Sequence, residues 1–441
     1  SSLTMEPNSE NLLFTFYGDD FTGSTDALEA LSLHGIPTVL FLGLPDPARV
    51  AEFRYCRAIG VAGESRSKSP EWMSAHLPAI FKHLKQLGAP VCQYKVCSTF
   101  DSSPTVGNIG RALEIGQDVF KGSYVPIVAS APRLGRWVVF ANLFAAEENR
   151  VYRIDRHPTM SRHPVTPMAD GDLRVHLSKQ TSRFIASMDI LSLDADGGRG
   201  KLAELLRDQP SGILFDALSD SHLQNISELV WRDRVPFVAA SSGFTFGLAA
   251  HLSKHTTFSR TAQPETVTEA DRLKVMSGSG SPVTERQIKW ALANGFAGIR
   301  LDAAALVDPS QAGRTRAMVL SESLRFLQGG SNVAIYSALG PSDCKGTSLR
   351  DDLGKQMGIL LREILLQSGV KRAVIAGGDT SSHAGQQLGI YALTMISDLT
   401  PGAPLCRAHS DEKAFSGLEL VMKGGQMGRE DFFGSALRGR I

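Results

Sequence analysis

The residues of this 441-residue chain best suited to chemistry stand where apolar runs break into glycine-bearing turns. Gly18-Asp19-Asp20-Phe21-Thr22-Gly23 follows one such run and leads into a helix-like stretch. Adjacent carboxylates repel one another, and a helix N-terminus just beyond them would stabilise negative charge. One of the pair could accept hydrogen bonds from a polyol and take a proton during reaction. The same residues also read as a turn whose Asp caps the helix. Lys95-Val96-Cys97-Ser98-Thr99-Phe100-Asp101-Ser102-Ser103 crowds a cation, hydroxyls and an acid behind another run. There Lys95 would take the carboxylate of a small acid, and Ser98 and Thr99 its hydroxyls. A Ser/Thr-rich loop bonded to itself has the same composition. Arg66, behind a third run, carries a planar fork able to grip a carboxylate through two bonds, or is a surface charge.

Between Arg156 and Met168 lie His157, His163 and three prolines. The prolines fix a loop that is neither helix nor central strand. No third ligand stands at a metal-binding spacing, so the segment reads as a rigid loop, structural or presenting one His or Arg to a ligand. Farther on come Met276-Ser277-Gly278-Ser279-Gly280-Ser281, Ala376-Gly377-Gly378-Asp379-Thr380 and Lys423-Gly424-Gly425-Gln426-Met427-Gly428. Each follows an apolar run, and a Gly/Ser turn ahead of a helix offers backbone N–H groups to phosphate. Thr284 and Gln287 have capping-box spacing at the first of these helices. The GxxxxGK[ST] signature is absent. The dinucleotide fingerprint is partly present: Ser277–Gly280 opens a helix and Asp302 ends the next strand, but the third glycine is missing. An NAD(P)-dependent dehydrogenase of a small hydroxy acid is therefore one alternative. A non-catalytic sugar-acid-binding protein is another.

The elements that must position these residues alternate. Strands are expected at Leu12–Tyr17, Thr38–Leu42, Arg57–Ala62, Val91–Val96, Arg136–Phe140, Gly212–Asp216 and Pro236–Ala240. A second series runs through Leu273–Met276, Gly298–Asp302, Asn332–Ser337, Ala373–Ala376 and Leu418–Met422. Strand–helix alternation predicts two α/β domains with mainly parallel sheets flanked by helices. The polar stretch His255–Arg272 reads as the linker, which gives domains of 1–258 and 259–441. In such sheets ligands bind beyond the carboxyl ends of the strands, where all the turns above fall.

Composition narrows the classes. Lys+Arg 46 against Asp+Glu 45 leaves a net charge of +1, so nothing draws the whole chain to nucleic acid or anionic lipid. Any anion needs a local site. Cys56, Cys92, Cys97, Cys344 and Cys406 are odd in number and form no C-x-x-C, which favours a reducing compartment over a disulfide framework. No apolar run reaches about 18 residues, so no membrane span is expected. The first residues lack the order of a signal peptide, and Met5 is a candidate natural start. A cytoplasmic protein is the expectation.

The blocks GDDFTGSTD, KVCSTFDSS with GNIG, RHPVTPM, SGSGSPVTERQ, AGGDTSSHAGQQLG and KGGQMG, in that order from about Phe14 to Phe433, resemble the four-carbon acid sugar kinase family (DUF1537), and within it the 3-oxo-tetronate kinase branch. The resemblance implies an N-terminal acid-sugar domain, a C-terminal ATP domain, and reaction in the cleft between them with Mg²⁺. It implies a small-molecule acid-sugar partner, with neither nucleic acid nor membrane, and allows a homodimer. By the same resemblance Asp19 or Asp20, Arg66, Lys95, Cys97 and Ser98 would contact the substrate, with Thr99 and His163 as further candidates. Ser277, Gly278, Ser279, Gly377, Gly378, Asp379, Thr380 and Gly425 would contact ATP. Asp20, nearer the helix start, is preferred as base, although the family pattern does not separate it from Asp19 or Asp379. Gly280 stands where the family often has Cys, Asp379 where Glu is common, and KGGQMG where KSGNFG is usual. Those departures leave open which acid is used: a 3-oxo-tetronate, threonate, erythronate or a branched oxo-isoapionate.

Overall fold

The computed structural model describes residues 11–256, 258, 265–338 and 350–441. Met5, Cys344 and the middle of the expected linker lie outside the described residues. The chain divides into two units: Ser1–Val39 with Gly43–Ala262, and Leu40–Leu42 with Gln263–Ile441.

The first unit contains β1 (Phe14–Gly18), the first half of β2 (Thr38–Phe41), β3 (Ala58–Ala62), β4 (Val91–Lys95), β5 (Val125–Val128), β6 (Arg136–Val139), β7 (Asn142–Glu147), β8 (Arg150–Arg153), β9 (Ile185–Met188), β10 (Gly212–Phe215) and β11 (Phe237–Ala240). Its main sheet runs β3-β1-β4-β11-β5-β10-β9, with parallel neighbours throughout. Every residue of β1, β3, β4 and β11 is buried. Helices cover both faces of such a sheet, so its strands are continuous apolar runs with no solvent face. Helices Phe21–Leu33, Ile109–Phe120 and Ser242–His255 start on the side chains of Asp20, Asn108 and Ser241, each accepting a backbone N–H.

Two strand expectations need correction. Arg136–Phe140 does not join the parallel series: β6, β7 and β8 form a separate antiparallel sheet. Phe140 and Ala141 adopt left-handed φ of 47° and 65°, which reverses the chain in a two-residue turn between β6 and β7. The buried Asp216 carboxylate secures that turn, accepting from Phe140 N at 2.6 Å, Ala141 N at 2.9 Å and Ile190 N at 2.9 Å. Val138 is bonded to Ser130 Oγ at 3.0 Å and bridges Ala217. Ser130 and Ala217 follow β5 and β10, so this small sheet stands at the carboxyl ends of the large one. Conversely, β5, which reads Val-Pro-Ile-Val, is not among the expected strands. Proline lacks the N–H of a central strand, yet Pro126 sits opposite Ile213 in the middle of the sheet.

The second unit contains β12 (Leu273–Ser277), β13 (Ala297–Arg300), β14 (Val333–Tyr336), β15 (Arg372–Ala376), β16 (Ile390–Thr400), β17 (Ala403–Ser410) and β18 (Glu419–Lys423), ordered β13-β14-β12-β15-β18-β17-β16. The first five are parallel, and the β16–β17 hairpin closes the set antiparallel. Phe41 pairs with Ala392, which groups Leu40–Leu42 with this unit. The described end of the expected linker is docked: Glu265 N bonds Ile396 O and Ala270 N bonds Leu437 O, both at 2.9 Å. No helix among the described residues is long and apolar enough to cross a membrane.

Candidate active site

In the first unit the turns after β1, β3 and β4 converge. Asp19, buried at the end of β1, receives Arg66 through both edge nitrogens, Nε to Oδ2 at 3.2 Å and Nη2 to Oδ1 at 2.7 Å. Arg66 Nη2 also lies 3.5 Å from Asp20 Oδ1. Burial pushes the Asp19 carboxyl above its ordinary range against the pull of Arg66. Asp20 is the more open of the pair, its side chain 21% exposed against 4% for Asp19. Its Oδ1 caps the helix through Gly23 N at 2.6 Å and its Oδ2 accepts from Thr22 Oγ1 at 3.0 Å. A Cβ on Gly23 would fall 2.4 Å from Asp20 Oδ1 and 3.2 Å from Lys95 Nζ, so glycine alone permits this approach. Buried Lys95 pairs with Asp26 at 3.5 Å.

A second row continues from β4. Thr99 Oγ1 donates to Asp101 Oδ1 at 2.6 Å and lies 3.0 Å from Cys97 Sγ. Thr166 Oγ1 reaches Asp101 Oδ2 at 3.2 Å and His163 Nδ1 at 3.1 Å. His163 Nδ1 also accepts from Thr166 N at 3.0 Å, which turns that nitrogen to the chain rather than to a metal. Burial would raise Asp101, but Arg66, Thr99 and His163 together hold it below the usual carboxylate range. Ser98 Oγ is met by Arg136 Nη1 at 3.3 Å.

The structure thus gathers Asp19, Asp20, Arg66, Lys95, Cys97, Ser98, Thr99 and His163 at one end of one sheet. Asp26, Asp101, Thr166 and Arg136 are additional. Asp101 lay within a quoted block, and its alternation with Thr99 was the available signal. Arg136 carried none, because it was assigned to the wrong sheet.

In the second unit Ser277, Ala376 and Lys423 are cross-strand partners on β12, β15 and β18. The three glycine turns therefore leave neighbouring strands from one row. The turns pack closely, each glycine against a hydroxyl of its neighbour: a Cβ on Gly278 would lie 2.2 Å from Thr380 Oγ1, and one on Gly425 would lie 2.5 Å from Ser279 Oγ. Gly377, at φ 108°, occupies backbone space that side chains avoid. It precedes helix Gly378–Gln387, whose first turn carries buried Thr380 and exposed Asp379. Ser277 is fully buried, its Oγ accepting from Ser279 N at 3.3 Å.

The capping box expected from Thr284 and Gln287 does not form. Ser281 caps helix Pro282–Ala293, while Thr284 Oγ1 donates to Gly425 O at 2.8 Å and Gln287 Nε2 to Met427 O at 2.9 Å. Ser281 Oγ reaches Gly425 O at 2.6 Å, and Lys423 Nζ reaches Gly424 O at 2.8 Å and Gly425 O at 3.3 Å. Pinning the Gly425 carbonyl inward turns the N–H of that same planar peptide, on Gln426, the opposite way. Lys423 is fully buried, and burial lowers its ammonium to about 7. Sequence reasoning missed it, because a lysine ending a strand ordinarily reaches water.

The dinucleotide geometry is not present. A ribose-binding acid must end the strand beside the first one, but β14 separates β13 from β12, and Asp302 is an exposed cap for helix Ala303–Val307. Among the described residues no group of three or more His, Cys, Asp or Glu is arranged to hold a metal ion.

One end of each sheet thus offers a different chemistry, and comparison with known proteins separates them in the same way. Residues 14–248 match a sugar-binding N-terminal domain and residues 274–433 a nucleotide-binding C-terminal domain, the pairing of a sugar kinase. The chain belongs to the four-carbon acid sugar kinase family, DUF1537. It is 44% identical over 446 residues to a 3-oxo-isoapionate kinase of Paraburkholderia graminis, covering 98% of this chain and 95% of the relative. It is 30% identical over 432 residues to a 3-oxo-tetronate kinase of Cupriavidus necator, covering 95% of each. A solved structure from Salmonella typhimurium LT2 superimposes with a TM-score of 0.76 at 26% identity, covering 97% of this chain and 98% of that one. A Haemophilus influenzae DUF1537 structure, at 23% identity and TM-score 0.70 over 96% of this chain and 98% of its own, shares the fold. The chain is a small-molecule kinase.

Proposed function

We propose that this protein transfers the γ-phosphoryl group of ATP to the terminal hydroxyl of an acid sugar, and that the acid is of the branched 3-oxo-isoapionate type. The observation that carries the phosphoryl-transfer reading is the register of Ser277, Ala376 and Lys423, which sets three glycine turns side by side. The choice of acid rests on full-length likeness to a 3-oxo-isoapionate kinase at 44% identity, against 30% to a 3-oxo-tetronate kinase.

When bound, ATP would supply the phosphoryl group and Mg²⁺ on its phosphates would supply charge neutralisation. The fit is with main-chain donors: the turns at Gly278, Gly377 and Gly425 carry no side chains of their own at these positions and pack against one another, and the Gln426 N–H faces away from its pinned carbonyl. Asp379, in the first turn beside them, is the carboxylate available to share the cation. In the first unit Asp20 accepts the proton of the substrate hydroxyl as that oxygen bonds phosphorus. Gly23 N–H and Thr22 O–H hold its two oxygens in place while leaving lone pairs open. Asp19, fixed by Arg66, keeps that guanidinium beside Asp20. Ser98, Thr99, Cys97 and His163 line the sugar side. Phosphoryl transfer needs positioning and charge neutralisation more than covalent chemistry, which such a site supplies.

A coupled ADP-release screen over four-carbon and branched five-carbon acids tests this. The expected result is turnover with ATP and the highest kcat/KM for 3-oxo-isoapionate. Preference for an unbranched tetronate would correct the substrate, and no turnover with any acid would remove the function.

A further inference from the structure

We infer that Arg136, rather than Arg66 or Lys95, receives the carboxylate of the substrate and thereby selects acids over neutral sugars. The inference rests on the acid-sugar kinase reading and adds the recognition group which that reading lacks.

The two cations nominated by sequence are already committed. Arg66 spends Nε and Nη2 on Asp19, with Asp20 within 3.5 Å, and Lys95 pairs with Asp26. Two positive charges face three carboxylates there, so an incoming acid would meet net repulsion unless another cation takes it. Arg133, on the turn after β5, is likewise engaged: Nη2 bonds buried Glu29 at 2.9 Å, and the guanidinium stacks 3.7 Å over the Phe246 ring.

Arg136 differs from all three. It opens β6, in the small sheet at the carboxyl ends of the large one, which is where ligands of parallel sheets bind. Its Nη1 donates to Ser98 Oγ at 3.3 Å, so its head lies against the segment that carries Cys97, Thr99 and Asp101. What separates it is that it forms no ion pair among the described residues; its Nε is also buried without a hydrogen-bond partner, as is Nη1 of Arg133. Buried polar atoms are nearly always partnered, and a guanidinium donor without one marks a place where an acceptor belongs. With Nη1 on Ser98 and Nε enclosed, Nη2 is the donor left for an incoming carboxylate oxygen. A charge-assisted bond from Nη2 would hold that oxygen, and a turn of the side chain that freed Nε would make the contact a parallel pair. The position is held firmly, since Asp216 secures the Phe140–Ala141 turn and Ser130 the Val138 amide.

The test measures ADP release by the full chain, Arg136→Gln and Arg136→Lys, with 3-oxo-isoapionate and with its carboxamide. Charge-assisted bonds of this kind predict a KM for the acid raised about 10- to 100-fold in Arg136→Gln. The kcat should stay within a few-fold and the KM for ATP unchanged. The preference for acid over carboxamide should collapse, which a merely structural loss would not cause. Arg136→Lys, keeping the charge without the fork, should fall between, and it carries the test alone if Arg136→Gln does not fold. Wild-type KM and wild-type acid preference in the variants would overturn the assignment while leaving the kinase reading intact. Turnover by the wild type of neutral sugars only would overturn both.

Discussion

The carboxyl ends of the two parallel sheets solve opposite problems. In the first unit the proposed site is made of paired polar side chains: Arg66 between Asp19 and Asp20, Lys95 on Asp26, and Asp101 hydrogen-bonded by Thr99 and Thr166. In the second it is made of backbone, with glycines at 278, 377 and 425 and hydroxyls at 281 and 284. The ammonium of Lys423 is turned inward beneath them. A sugar presents hydroxyls in fixed directions, and directional side chains read them. A polyphosphate presents diffuse charge that many main-chain N–H groups share without being tied to any one conformation. The difference teaches that the two ends should respond separately to substitution.

The largest expected effect is Asp20→Asn. Asn caps a helix about as well as Asp, so the fold should hold while kcat falls about 10²- to 10⁴-fold. Melting with and without ATP should show nucleotide binding unchanged. An unaltered kcat would take Asp20 out of the proton-accepting role.

Next is Gly425→Ala, whose Cβ would fall 2.5 Å from Ser279 Oγ and 2.9 Å from Ser281 Cβ. Overpacking of that size costs about 1–3 kcal/mol, so the KM for ATP should rise by roughly 5- to 100-fold. The KM for the acid should not move. Equal losses for both ligands would break the comparison.

Lys423→Met sharpens it. Burial lowers the wild-type ammonium from its ordinary 10.5 to about 7. Between those values the unfolded chain holds a proton that the folded chain does not, so stability rises as pH climbs from about 7 toward 10.5. Lys274, fully buried and pushed well down by the same cause, acts in the same direction. Urea midpoints at pH 7 and 9 should therefore differ less in Lys423→Met than in the wild type, without the difference vanishing. An identical pH increment would mean that Lys423 stays charged when folded.

The smallest effect belongs to His176 in the first unit. Burial, with Lys179 nearby, lowers its imidazole from 6.5 to about 4, and Ser102 Oγ lies 2.8 Å from Nε2. Its contribution is present above pH 6.5 and is lost as pH falls toward 4. His176→Gln should flatten the acid limb of the stability curve and leave both KM values alone.

Much of this was legible in the amino-acid order. Every glycine turn named from sequence lies at a strand end, because an apolar run followed by glycine and a hydroxyl or acid is the local grammar of a parallel α/β sheet. Three kinds of residue escaped. Pro126 hid β5, since the proline penalty is local while the sheet's demand for a strand between β11 and β10 is tertiary. Thr284 and Gln287 matched a capping box, but the Gly425 and Met427 carbonyls competed for them and won. Arg136 and Lys423 act through long-range placement, one in a sheet folded over strand ends and the other turned beneath a loop. No spacing in the sequence records either.

The most direct measurement is ADP release by the full chain with ATP-Mg²⁺ and 3-oxo-isoapionate, run beside Asp20→Asn with ATP stabilisation followed in the same samples. Acid-dependent release by the wild type, together with a variant that is stabilised by ATP yet scarcely turns over, is the predicted pair. A wild type that neither gains stability from ATP nor releases ADP with any acid sugar would contradict the division of labour described for the two sheets.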